Sequence, residues 1–306
     1  MFIFVNSQKT FHACVYTADS ERVIMKLTYS LITIVFVALI SKVGYAEFPL
    51  NALSVPLTTE QEQAWLSRLK SFYFQDKTIV WDESVISLQA PARAEDGALV
   101  PIRIQAGFPQ SAERYLQSLH LIIDNNPNPL AGKFKLTPLL ARANLELLIR
   151  VDAYSPVRVI AETNDGKLYM SGRYVKASGG CSAPASNSRA DQTIGEMRFN
   201  TKSADSPAAE LRPTRLSIVH PNLSGLQRDQ VSTLPIPPRY IKTIEVTLDE
   251  QLVFSAETDI SISENPNFQF YLMPEKSGIL AAVVTDTDGQ TFKHQQRIDK
   301  VGKGFP

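Results

Sequence analysis

The sequence predicts a mainly β protein built as two β-sandwiches in tandem, and three observations carry that reading. Apolar and polar residues alternate with period two along most of the chain. Turn signals interrupt the alternation at short intervals: Glu95-Asp-Gly97, Asn125-Asn-Pro-Asn-Pro129, Asn164-Asp-Gly166 and Asp288-Gly289. Nineteen prolines are scattered through 306 residues, which leaves little room for long helices.

Residues 1–46 read as an over-extended start followed by an export signal. Met25-Lys26 opens a short basic region, Leu31 to Ile40 is apolar, and Gly44-Tyr45-Ala46 offers small residues for a cut after Ala46. The apolar run is short for a membrane span, an uncleaved anchor helix being the alternative. The expectation is a periplasmic chain that is translated from Met25 and begins, once cut, at Glu47. It loses Cys14, keeps Cys181 as its one cysteine and works in an oxidising compartment.

One short helix is expected after the signal peptide. Thr59-x-x-Glu62 has the spacing of a capping box. Behind it Trp65, Leu66, Leu69, Phe72 and Tyr73 recur on one helical face, to be packed on a sheet.

From Val85 the period changes to two. Ile86 and Leu88, Ile102 and Ile104, Leu119, Leu121 and Ile123, Leu145 to Val151, Val157 and Val159, and Leu168 to Val175 each mark a strand. Asn164-Asp-Gly166 joins the last two as a hairpin. A second set follows Gly195: Glu196–Thr201, Thr214–Val219, Ile241–Leu248, Leu252–Thr258, Asn267–Leu272, Ile279–Asp286 and Gln290–Ile298. The stretch from Ser182 to Ile194 is rich in Ser, Ala, Asn and Asp and reads as a boundary. The expected division is residues 47–181, a linker over 182–194, and residues 195–306.

Lys plus Arg equals Asp plus Glu at 31 each, which argues against nucleic acid as a partner. His120, His220 and His294 lie far from one another in sequence and from Cys181, and His12 precedes the cut, so neither a metal site nor a cofactor is expected. The sequence has neither a glycine-rich phosphate loop nor a nucleophile elbow.

The chemistry therefore centres on Lys176-Ala-Ser-Gly-Gly-Cys-Ser-Ala-Pro-Ala185. Gly179 and Gly180 permit almost any backbone conformation, and the small residues after Cys181 offer nothing to anchor it. The reading is a flexible arm with an exposed, reactive thiol. An unperturbed cysteine of pKa ~8.5 is only slightly ionised at neutral pH. Arg173, Lys176 and Arg189 are close enough in sequence to support a thiolate or an anionic cargo, solvated charges being the alternative for each. A Cys181–His220–Asp229 nucleophilic enzyme is the competing constellation, but a catalytic nucleophile needs a rigid setting. His220-Pro221 reads as a structural turn.

The ordered motifs resemble a known pair of proteins. Ala98-Leu-Val-Pro-Ile-Arg103, Asn126-Pro-Asn-Pro129 with Phe134, Asp165-Gly-Lys-Leu-Tyr169, Val175-Lys176 and Gly179-Gly-Cys181 are similar to SoxY. His220-Pro221, Ser224-Gly225, Asp229, Ile236-Pro-Pro238, Tyr240-Ile241 and Ile262-Ser-Glu-Asn-Pro-Asn-Phe268 with Phe270 are similar to SoxZ. The chain as a whole resembles the fused SoxYZ-like carriers associated with quinoprotein dehydrogenases. The resemblance implies two immunoglobulin-like sandwiches docked through an apolar face. It also implies a non-enzymatic periplasmic carrier holding a sulfur species such as one from thiosulfate on Cys181. Its partners would be Sox-type sulfur enzymes or a quinoprotein dehydrogenase. In the separate SoxY subunit the cysteine motif is a free tail, whereas here the chain runs on through Ser182-Ala-Pro184, so the arm is tethered at both ends. The alternative is a non-covalent accessory module of the dehydrogenase, in which Cys181 is incidental.

Overall fold

The computed structural model describes residues 58–184, 193–201, 211–273 and 276–299. The export signal, Cys14, His12, the cut after Ala46, Arg189 and the middle of the 182–194 linker lie outside them.

The described residues open with α1 (Thr59–Ala64), a π-helical stretch (Trp65–Lys70) and α2 (Ser71–Phe74) in continuous succession. The capping box sits one residue earlier than expected. Thr58 is the N-cap, its hydroxyl accepts from the Gln61 N–H, and the Gln61 side chain accepts from the Thr58 N–H. The wider π turn re-aims the apolar face. Trp65 and Phe74 are buried and Leu69 and Tyr73 pack beside them, whereas Leu66 and Phe72 of the expected stripe are 47 % and 77 % exposed.

Among the described residues eight strands follow in the first half: β1 (Ile79–Trp81), β2 (Ile86–Gln89), β3 (Val100–Ala106), β4 (Leu116–Ile123), β5 (Leu130–Leu136), β6 (Leu140–Ile149), β7 (Ser155–Thr163) and β8 (Leu168–Val175). Seven form the second half: β9 (Met197–Thr201), β10 (Arg212–Ile218), β11 (Ile241–Leu248), β12 (Gln251–Thr258), β13 (Asn267–Leu272), β14 (Gly278–Asp286) and β15 (Thr291–Ile298). The fold is two immunoglobulin-like β-sandwiches with one short N-terminal helical segment, as the alternation requires.

The two halves do more than dock through an apolar face. They share both sheets. One sheet runs β1-β8-β7-β4-β5-β12-β11-β14-β15 and the other β2-β3-β6-β13-β10-β9, so each passes from one half into the other. At the first seam β5 pairs antiparallel with β12, Phe134 opposite Ala256 and Leu136 opposite Phe254. At the second β6 pairs with β13, Glu146 opposite Gln269 and Leu140 opposite Leu272. Four strand edges that would otherwise be open are thus consumed. Between the sheets lies one continuous core, in which Phe134 of the first half meets Phe268 of the second at 6.3 Å between ring centroids.

The helical segment covers the outer face of the nine-stranded sheet. Trp65 and Phe74 pack there on Ile122, Ile160, Leu168 and Met170. Arg158 of β7 lies under it, fully buried, with its guanidinium 4.8 Å from the Trp65 ring centroid and ion-paired to Asp124 and Glu62 at 2.9 Å each. That explains why β7 is buried on both faces although only Val157 and Val159 announced it.

Strand exchange on this scale makes an expected outcome plain. If a protease site is inserted between residues 187 and 190 and cut, the two halves should still elute as one species on a sizing column without denaturant. Separate elution would show that the seams do not hold.

Candidate functional site

The sequence places Cys181 on a loose arm, and the structure corrects this. Cys181 is 0 % exposed. The segment leaves β8 and runs beside residues 151–152, which hold it by its main chain. The Gly179 N–H donates to the Asp152 carbonyl at 2.8 Å, the Gly180 N–H to the Val151 carbonyl at 3.1 Å, and the Cys181 N–H to Asp152 Oδ1 at 3.2 Å. Gly179 has φ +71°, so the first glycine supplies the left-handed residue that turns the chain inward. Gly180 supplies proximity: a Cβ there would lie 2.1 Å from the Gly97 carbonyl oxygen and 2.7 Å from that of Val151. Gly179 and Gly180 thus form a fitted contact here rather than a flexible arm.

The second half closes the site. The Ser224 hydroxyl donates to the Cys181 carbonyl, and Gln227 Nε2 donates to the Ala183 carbonyl at 3.0 Å. Both donors are buried and brace one another, the Ser224 N–H donating to Gln227 Oε1 at 3.0 Å. Gly225, at φ +85° and facing the Pro238 ring, makes the tight turn between them.

Beneath Cys181 a buried polar network crosses the seam. Asn126 accepts from the Asp152 N–H and donates to the Arg150 carbonyl and Ser261 Oγ, both at 2.8 Å. Arg150 Nη1 donates to the carbonyls of Asn222, Ile260 and Ile262. Asn222, at φ +42°, spends its amide on the carbonyls of Ile262 and Ser263 and accepts from the Ile241 N–H. Ser263 Oγ donates back to the Ala98 carbonyl at 2.6 Å. The motifs that carried the resemblance, around Ala98, Asn126, Gly180, His220, Ser224 and Ile262, therefore meet at one place.

Charge around the thiol differs from the expectation. Arg173 is committed to Glu83, with Nη2 at 2.9 Å from Oε2, and Lys176 pairs through its main chain with Ala92 and Ala94. The cation that acts on Cys181 is Arg150, opposed by the carboxylates of Asp152 and Asp259. Burial first, and then these carboxylates, push the thiol up to about 12. A docked Cys181 is a protonated thiol and a poor nucleophile.

The Cys181–His220–Asp229 constellation does not form. His220 is buried, its Nδ1 accepts from the Asn222 N–H at 3.0 Å, and its Nε2 faces Asp286 at 3.5 Å. Burial depresses its pKa and keeps the ring neutral. Asp229 caps its own turn by accepting from the N–H groups of Val231 and Ser232. Among the described residues there is no metal-ligating cluster of three or more His, Cys, Asp or Glu, and no helix long and apolar enough to cross a membrane.

Arg150, Asp152 and Asn222 escaped the sequence reading. Arg150 does leave a trace, a lone cation closing the apolar alternation of Leu145, Leu147 and Ile149. Asn222 sits unremarked between His220-Pro221 and Ser224-Gly225.

Two family models match the chain, one described as sulfur oxidation protein SoxY over residues 70–181 and one as sulphur oxidation protein SoxZ over residues 200–297. The first match ends on Cys181. No curated protein matches the sequence. Among solved structures, a superoxide reductase (neelaredoxin) from Ignicoccus hospitalis aligns at 17 % identity over 31 % of this chain and 80 % of its own, with a TM-score of 0.28. A beta-glycosidase from Bacteroides vulgatus aligns at 8 % identity over 70 % of this chain and 25 % of its own, with a TM-score of 0.20. Superpositions this loose carry no argument.

Proposed function

We propose a covalent carrier role centred on Cys181 for this chain, which belongs to the SoxY family over residues 70–181 and to the SoxZ family over residues 200–297 and so fuses the two in one polypeptide. The two domains support a carrier-type part in sulfur oxidation, served by Sox-system partner proteins, rather than catalysis by the chain itself. The finer reading is a periplasmic protein that holds a sulfur species, such as one derived from thiosulfate, on Cys181 for partner enzymes. A quinoprotein dehydrogenase is among the proposed partners. The observation that carries this reading is that elements of both domains converge on the main chain of the cysteine segment, Asp152 and Ser224 at Cys181 and Gln227 at Ala183. A cysteine that only filled space in the core would need no such set of polar clamps.

Intact mass of the protein purified from its native periplasm, before and after reductant, tests the proposal. An adduct on Cys181 that reductant removes is the expected result, and the mass difference names the cargo. N-terminal sequencing of the same material should begin at Glu47, whereas full-length protein in the cytosol would sink the assignment to the periplasm.

The burial of Cys181 favours a second reading, an accessory module that binds its partner without covalent chemistry. Cys181→Ser separates the two. A carrier loses its function in the native host with this substitution, and an accessory module keeps it.

A further inference from the structure

We infer that Ser224 and Gln227 of the second domain are the positioning residues of Cys181: they hold a docked place that fits only the free thiol, so that attaching a group to Sγ and releasing the segment are a single event. The inference rests on the carrier reading above.

The docked place is closed on every side that the contacts define. On the main-chain side Gly180 leaves no space for even a Cβ against Gly97 and Val151. At Sγ the residue has no solvent exposure. On the far side the carbonyls of Cys181 and Ala183 are taken by Ser224 and Gln227. These two side chains are braced by each other and by the Leu226 N–H, which donates to Ser224 Oγ at 3.2 Å, so they stand ready whether or not the segment is in place. A sulfane sulfur adds at least one heavy atom beyond Sγ and a sulfonate group several, and a close-packed interior meets such an addition by displacing what carries it.

Charge acts in the same direction. The carboxylates of Asp152 and Asp259 repel a negative group at Sγ, and among the described residues Arg150 is the cation that attracts it. The Nη1 group of Arg150 is taken by three carbonyls, which leaves its buried Nε as the donor without a partner on that side. The free thiol docks and is protected, while the loaded cysteine is expelled and presented. The tether at both ends then matters less, because the segment needs only to leave its seat. Its travel is bounded at ~3.3–3.6 Å per released residue.

The test uses the full chain and methyl methanethiosulfonate, a small neutral reagent. The Cys181 thiolate attacks the sulfenyl sulfur, an S–S bond to the methylthio group forms, methanesulfinate leaves, and the thiol proton goes to solvent. Labelling of the native wild type should be slow, limited by undocking. The Ser224→Ala, Gln227→Ala double variant should label faster by roughly tenfold or more, the effect of two lost hydrogen bonds. Equal rates in the two proteins would overturn the inference, as would wild-type labelling as fast as that of a peptide spanning 176–185. A second measurement needs no variant. Hydrogen exchange at the amides of 179–181 should be protected in the free protein and lose protection in the methylthio adduct. Protection retained in the adduct would mean that the docked place accepts cargo, and the inference fails. A Cys181→Ser protein that still functions would refute the carrier reading and would leave these rates as they are.

Discussion

Replacing Arg150 with alanine should lower the stability of the protein by about 3–5 kcal/mol, a loss on the scale of breaking a buried ionic network. Arg150 is 2 % exposed and directly follows β6 at the seam. Its Nη1 serves three carbonyls of the second domain, those of Asn222, Ile260 and Ile262. Truncation leaves these acceptors buried without their donor and opens a cavity beside Asn126 and Ser261. Acceptors abandoned in this way cost about 1–3 kcal/mol each before relaxation. Asp96 and Glu264, whose negative charge supports the guanidinium against its burial, lose that partner too. In a chain of this size such a loss lowers the melting temperature by on the order of 10 °C. Arg150→Lys should recover part of it, since the charge stays but the planar fork that reaches several carbonyls goes. Urea unfolding of the three proteins measures all of this, and a loss below about 1 kcal/mol for the alanine variant would show that the network is not what joins the halves.

Much of the fold was legible because it is written locally. The bounds of β11 and β13 agree with the alternation, and the hairpin between β7 and β8 sits on Asn164-Asp-Gly166, with Gly166 at φ +81°. Two strands were not legible. β1 is three residues long, too short for a period to show. In β5 the buried positions 132, 134 and 136 do alternate, but the first is Gly132, packed under the Phe134 ring, and a glycine contributes no apolar signal. The pairing of β5 with β12 is one of the two seams that join the domains, and a long-range pairing leaves no trace in either strand alone. The cysteine segment was misread for a related physical reason. A run of small residues looks like mobile chain, yet small residues are also what two main chains need in order to touch. Gly97 against Gly180 is that case, and the two positions lie too far apart in sequence for the match to be visible. The chemistry of the site was legible only as far as Cys181. The residues that govern it, Asp152, Ser224, Gln227 and Arg150, come together through the fold.

Raising the pH from about 9 to about 12 should drive Cys181 out of its seat and lower the stability of the docked protein by up to about 4 kcal/mol. The thiol's ordinary value lies at about 8.5–9 and the docked value is pushed up to about 12, by burial and then by Asp152 and Asp259, with Arg150 opposing. Below the ordinary value the thiol is neutral in both forms, so the stability it contributes when docked is fully present. Between the two values a released thiol ionises and a docked one does not. Each pH unit there shifts the balance towards release about tenfold, or about 1.4 kcal/mol. Above the docked value both forms are ionised and the loss stops growing. Releasing residues 179–183 sacrifices five hydrogen bonds, those from Gly179, Gly180, Cys181, Ser224 and Gln227, and leaves both sheets intact. The segment should therefore leave well before the protein unfolds. Thiolate absorbance of the native wild type, with the Cys181→Ser protein subtracted to remove the tyrosines, should rise late and together with a gain in labelling by a neutral thiol reagent. The stability of the wild type should fall more steeply with pH than that of Cys181→Ser over the same window. A titration centred near the ordinary value, with parallel stability curves for the two proteins, would show that the thiol already faces water at neutral pH and that its burial has no energetic consequence.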